Sequence, residues 1–203
     1  MNSIYCDLDG TFIKGDLERE FVKFLQRTHK FNWYHYLLAA ISMPINKIQS
    51  KRCHGSLFKS WTYRRSRDER YQLYEEFLQN KNDELLINEK VLLELEERKA
   101  THKIILLTGS FEELVRFFME KNGKTYIFDE IIGCQVKKRH TFFVKRHPYG
   151  KDKCKFIHVE GKIVGIANEY VDRFYLQMCD EVFIVNAEEK LCILAKKLGW
   201  RNL

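Results

Sequence analysis

Asp7 and Asp9 stand two apart in the run Asp7-Leu8-Asp9-Gly10-Thr11. In an extended chain that spacing puts both carboxylates on one side. Two acids so close repel unless one is protonated or a divalent cation lies between them. Mg²⁺ is the natural partner, because it takes carboxylate and carbonyl oxygens. Three further groups have chemistry to offer. Thr108 and Gly109 follow an apolar run and precede a helix, where a hydroxyl and backbone N–H groups can cradle a phosphate. Ser110 capping that helix, in a capping box with Glu113, explains the same segment equally well. Lys151, Lys153 and Lys155 compete to supply an ammonium that neutralises a nucleophilic carboxylate and a phosphate together. A solvated basic face is the plainer account of any one of them. Asn168 and Asp172, four apart, offer an amide oxygen and a carboxylate to a Mg²⁺ shell. Asn168 also suits a helix N-cap.

These groups must be positioned by regular elements. Ser3–Leu8 reads as a strand ending in acid and glycine. Asp16 is the expected N-cap of a helix with Leu17, Phe21, Phe24 and Leu25 on one face. Tyr71, Leu73, Tyr74, Phe77 and Leu78 mark a second helix, and Val91, Leu92 and Leu95 a third. From Lys103 the period changes to a continuous apolar run, the mark of a strand buried on both faces. It is expected to end at Thr108, with a helix following through Lys121. A hairpin over 131–147, a helix over 152–159, a strand over 162–167, a helix over 170–179, a strand over 182–185 and a helix over 187–198 complete the chain. Such alternation implies a parallel sheet with helices on both faces. Open sheets of this kind bind ligands at the carboxyl ends of their strands, where all four groups fall. The segment 15–94 is strand-free and reads as an insertion after the first strand.

The 203 residues suit one domain with a sizeable insertion. Apolar residues are 45% and charged residues 31%, an ordinary globular balance that excludes disordered and collagen-like classes. The net charge is +7, and it is concentrated. Residues 47–70 carry eight Lys/Arg, and 137–155 another eight. Solvated surface charge or an anionic partner explains either stretch. The six cysteines form no CxxC pair. The opening residues reach two acids by position 9, unlike a signal peptide. Free thiols in a reducing, cytosolic compartment are expected.

Taken together, the motifs resemble the haloacid dehalogenase-like phosphatase superfamily over nearly the whole chain. Asp7-Leu-Asp-Gly-Thr is similar to its first motif, Leu107-Thr-Gly-Ser to its second and Asn168–Asp172 to its fourth. The spacing Gly150-x-x-Lys153 makes Lys153 the match for the third. The helical insertion resembles the cap of the phosphoserine-phosphatase-like branch. Within that branch, the DLDGTFIKGD segment is similar to hydrolase modules associated with membrane prenyltransferases. The apolar cap stretch and LLTGS also resemble phosphatidylglycerophosphatase C. The resemblance implies an α/β fold: a Rossmann-like parallel-sheet core over 1–14 and 95–203, with a helical cap over 15–94. It implies a Mg²⁺-dependent phosphomonoesterase. Asp7 would be the nucleophile and Asp9 the acid and base. Thr108, Gly109 and Lys153 would hold the phosphate. Asp7, Asp9, Asn168 and Asp172 would hold the metal.

One departure stands out. The family's fourth motif usually opens Gly-Asp-Ser, and here it is Ala167-Asn168-Glu169. A weakened relative that binds a phosphorylated ligand or a partner protein is the competing class, although such relics usually lose the first aspartate. The apolar run 33–45, too short to span a bilayer, is followed by basic residues. That pairing suits peripheral contact with an anionic membrane and a lipid phosphate substrate. Core packing and a small soluble phosphomonoester fit it as well. Trp61, Tyr63 and Phe142 lie among the basic residues, but no nucleic-acid motif accompanies them and no nucleic-acid partner is expected.

Overall fold

The structure is a computed structural model, and it describes residues 1–30, 62, 65–80, 85–136 and 144–203. The apolar run 33–45, most of the basic stretch 47–70 and Trp61, Tyr63 and Phe142 lie outside the described residues. Among the described residues the strands are β1 (Asn2–Cys6), β2 (His102–Phe111), β3 (Glu130–Val136), β4 (Val144–Arg146), β5 (Ile163–Ala167), β6 (Glu181–Ile184) and β7 (Arg201–Asn202). They form one sheet of order β4-β3-β2-β1-β5-β6-β7. All neighbours are parallel except the β3–β4 hairpin. This is the expected α/β architecture with a Rossmann-like parallel sheet.

The apolar runs explain the layers. Ile4 and Cys6 of β1, with Ile104 and Leu106 of β2, enter one apolar cluster. The alternate residues Tyr5, Ile105 and Leu107 enter another. Period-2 side chains buried on both sides require a helical layer on each face. The first layer includes α1 (Leu17–Arg27), α2 (Arg67–Gln79), α3 (Glu89–Arg98) and α4 (Glu112–Lys121). The second includes α5 (Arg173–Leu176) and α6 (Glu189–Leu198).

Asp16 caps α1 as expected, its carboxylate accepting the Arg19 N–H at 2.7 Å. Phe21 of α1 packs against Tyr74 and Phe77 of α2 with ring centroids 5.4 and 5.1 Å apart. Arg70 of α2 then grips Glu113 of α4 at 2.7 and 2.8 Å, joined by the Tyr74 hydroxyl at 3.2 Å. The described helices of segment 15–94 thus share one apolar cluster with β1 and β2.

Four local expectations change. β2 does not end at Thr108 but runs on to Phe111. The Ser110–Glu113 capping box is absent, because α4 starts one residue later, after Phe111. The expected helix over 152–159 is a 3₁₀ segment, Gly150–Phe156, and that over 170–179 is a 3₁₀ turn (Tyr170–Asp172) leading into α5. In both, buried side chains tie the chain to the sheet edge and override helical periodicity. Cys6, Cys134, Cys154, Cys179 and Cys192 are free, as expected. Among the described residues no helix is long and apolar enough to cross a membrane.

Candidate active site

β1 is flanked by β2 on one side and β5 on the other. Successive crossovers therefore leave it in opposite directions, and a crevice opens at its carboxyl end. There the chain makes a tight loop. The Leu8 carbonyl accepts the N–H groups of Thr11 and Ile13, and Gly10 N–H donates to the Gly15 carbonyl at 3.0 Å. Gly10 has φ +70°, and a Cβ there would lie 2.1 Å from Asn168 Nδ2. Only glycine meets both conditions. Asn168 is also the acceptor for Thr11 Oγ1 at 3.1 Å, so it fastens this loop to the end of β5.

Lys153 settles the three-way choice of lysine. Lys151 and Lys155 are exposed, and Lys155 pairs with Asp152. Lys153 is 2% exposed. Its Nζ donates to Asp7 Oδ1 at 2.7 Å and to Asp172 Oδ2 at 2.8 Å. Burial pulls the ammonium down, but Asp172 and Asp7 outweigh it and hold Lys153 above its ordinary value. Burial raises the Asp172 carboxyl; Lys153 draws it back and Asp7 adds to the rise.

Asp9 faces differently. Its Oδ1 accepts the first N–H of α1, from Leu17, at 2.8 Å. Its Oδ2 accepts Ser110 Oγ at 2.6 Å and lies 3.4 Å from Thr108 Oγ1. Burial, then Asp16 and Asp7, push this carboxyl up to about 8. Burial thus makes Asp9, like Asp172, hold a proton more readily than a free aspartate does. Ser110 was assigned by pattern to a helix cap; in the fold it holds Asp9 instead. The extension of β2 through Ser110 brings this about, and a capping signature alone does not reveal it.

A pocket of about 570 Å³ opens over this cluster. Asp7, Asp9, Thr108, Gly109, Lys153 and Asp172 all line it. Of the expected site residues Asn168 alone is outside the lining, while its neighbour Glu169 is inside. Asp16, expected only as a helix cap, and His147 and Tyr149, which no motif singles out, also face in.

The cluster fits a hard divalent cation. Asp172 Oδ1 is buried without a hydrogen-bond partner, which is costly for a carboxylate oxygen. Asp7 and Asp172 share one ammonium, and Glu169 lines the same pocket. Among the described residues no group of three acidic, histidine or cysteine side chains is gathered closely enough to hold a metal ion by itself.

None of the curated proteins matches the chain in sequence. Solved structures share its fold at low identity. A protein of unknown function from Bordetella pertussis Tohama I has a TM-score of 0.74 at 14% identity, covering 100% of this chain and 97% of that one. A phosphoserine phosphohydrolase-like protein from Francisella tularensis subsp. tularensis SCHU S4 has a TM-score of 0.56 at 18% identity, covering 100% and 95%. A phosphoserine phosphatase, solved as a phospho-aspartyl intermediate analogue, has a TM-score of 0.58 at 15% identity, covering 99% and 91%. Residues 4–172 match the haloacid dehalogenase-like hydrolases, a span that runs from β1 through Asp172 and contains every catalytic candidate. The chain belongs to the haloacid dehalogenase-like hydrolase family.

Proposed function

We propose that the protein is a Mg²⁺-dependent phosphomonoesterase that works through an aspartyl-phosphate on Asp7. The observation that carries this is the buried Asp7–Lys153–Asp172 cluster at the switch point of the sheet. The phospho-aspartyl analogue of a phosphoserine phosphatase with the same fold supports it. Asp7 attacks phosphorus in line and its oxygen forms the new P–O bond. Asp9 gives its proton to the departing alcohol oxygen, and later takes one from the water that cleaves the acyl phosphate. Inorganic phosphate leaves and Asp7 is regenerated. Lys153 and the Thr108 hydroxyl hold the non-bridging oxygens. Asp7, Asp172, the Asp9 carbonyl and Asn168 are the residues that would hold Mg²⁺. When bound, the ion offsets the repulsion between carboxylate and phosphate. A lipid phosphate and a small soluble phosphomonoester are both in the proposed substrate class.

Retention of Asp7 and Asp9 in one pocket favours turnover over a binding-only relic. The test is hydrolysis of p-nitrophenyl phosphate with Mg²⁺, after chelation with EDTA, and after Mg²⁺ is restored. Release that follows the metal is the expected result. No release from folded protein with Mg²⁺ present would overturn catalysis and favour the binding-only class.

Ser110→Ala should be milder. It removes the 2.6 Å donor to Asp9 but leaves the Leu17 N–H in place. We expect kcat to fall roughly tenfold, a fraction of what general acid–base catalysis contributes, with an unchanged melting temperature. A wild-type kcat in that variant would show that Ser110 does not position the acid.

A further inference from the structure

The pocket is larger than a phosphate requires: about 570 Å³ is room for a substantial leaving group. Its floor is the acid–lysine cluster. One wall is α1, where Arg19, Val22, Lys23 and Gln26 recur at helical spacing and share a face. His147 and Tyr149 line the same pocket, and their rings stack with centroids 5.7 Å apart and planes within 17°.

This ring pair is held in place from behind. Pro148 between the two is buried, and its ring restricts the backbone. Tyr149 N–H donates to the His147 carbonyl at 2.9 Å, closing a tight turn. Gly109 is what admits the rings: a Cβ there would lie 3.2 Å from Tyr149 Cδ2 and 3.8 Å from His147 Nε2. The pair therefore abuts the strand that carries Thr108. Core packing does not account for it. Tyr149 is 38% exposed and belongs to neither apolar cluster. A part-exposed aromatic pair in the pocket that holds the reactive cluster, with the aliphatic Val22 in the same lining, makes a slot for a flat group.

We propose that the slot lined by α1 and the His147–Tyr149 pair takes a planar, unsaturated leaving group. The site then favours phosphomonoesters of aromatic or heteroaromatic alcohols over saturated ones of equal size. For turnover the proposal rests on the phosphomonoesterase reading; for binding it does not.

The test compares benzyl with cyclohexylmethyl. Both parent alcohols are primary and of similar size, so intrinsic reactivity does not bias the comparison. Affinities of benzylphosphonate and cyclohexylmethylphosphonate are measured by calorimetry in Mg²⁺, beside hydrolysis of the two matching phosphates and of ethyl phosphate. Wild type should prefer the benzyl compound about tenfold, within the range of aromatic pairing. Tyr149→Leu should bring the ratio within twofold, while Tyr149→Phe keeps the preference. Equal affinities in wild type, or a preference that survives Tyr149→Leu, would overturn the slot. If Tyr149→Leu does not fold, His147→Leu carries the test, and an unchanged ratio there is equally adverse. Aryl preference in binding with no hydrolysis of any ester would sink the phosphatase reading and leave the slot standing.

Discussion

Asp7→Asn abolishes phosphate release, by roughly 10⁴- to 10⁶-fold, the scale on which loss of a covalent nucleophile is felt. The amide keeps the size of the carboxylate but cannot form an acyl phosphate. The protein stays folded, because Lys153 retains Asp172 at 2.8 Å and the loop bonds around Leu8 and Gly10 do not involve the Asp7 side chain. Two measurements separate chemistry from folding. Turnover of p-nitrophenyl phosphate should vanish while the far-UV spectrum and melting temperature stay near wild type. Beryllium fluoride with Mg²⁺, which mimics the phosphorylated carboxylate, should raise the melting temperature of wild type and not of the variant. Turnover close to wild type in Asp7→Asn would remove Asp7 from the mechanism.

Lys153→Met strikes both stability and activity. It withdraws the ammonium shared by Asp7 and Asp172, which are 5% and 1% exposed. Breaking a buried pair from one side leaves uncompensated charge and costs about 3–5 kcal/mol. For a chain of this length that is a fall in melting temperature of about 10 °C. Phosphate hydrolysis should fall below detection. Lys153→Arg should not rescue it, since a planar guanidinium does not replace a compact ammonium between two carboxylates. The double variant Lys153→Met/Asp172→Asn separates the effects. Neutralising Asp172 should recover at least half of the lost melting temperature and none of the turnover. A single variant as stable as wild type would mean that Lys153 is not the keystone ion of the buried cluster.

Much of this architecture is legible in the chain. Ile104–Leu107 and Ile163–Ala167 announce buried parallel strands by unbroken apolar runs, and Leu17, Phe21, Phe24 and Leu25 announce α1 by their period. Asp7 and Asp9 are visible because two acids at that spacing demand a reason. Lys153 is harder: Lys151, Lys153 and Lys155 look alike in isolation, and only the fold shows that one of them is buried. Ser110 is harder still. Its neighbours spell a helix cap, yet β2 continues three residues past Thr108 because pairing with β3 extends to Phe111. Tertiary pairing decides there, and local pattern cannot see it. The helices expected over 152–159 and 170–179 come out shorter and partly 3₁₀ for the same reason, since each is shaped by a side chain that must reach the cluster. Asn168 also reads ambiguously, because its amide is engaged by Gly10 and Thr11 of the loop after β1.

The lengths of the outer strands have a further consequence. β4 has three residues and β7 only two, Arg201 and Asn202, both exposed. Arg201 is also tied back to Glu181. A sheet bounded in this way offers almost no open ladder to which another chain could add. The ten-residue β2, apolar enough to seed fibrils, is instead enclosed between β1 and β3. Protection against self-association is thus built into the margins of the sheet, while the hazardous segment is kept at its centre. Among the described residues, aggregation through this sheet should therefore report its opening rather than contact between its native margins.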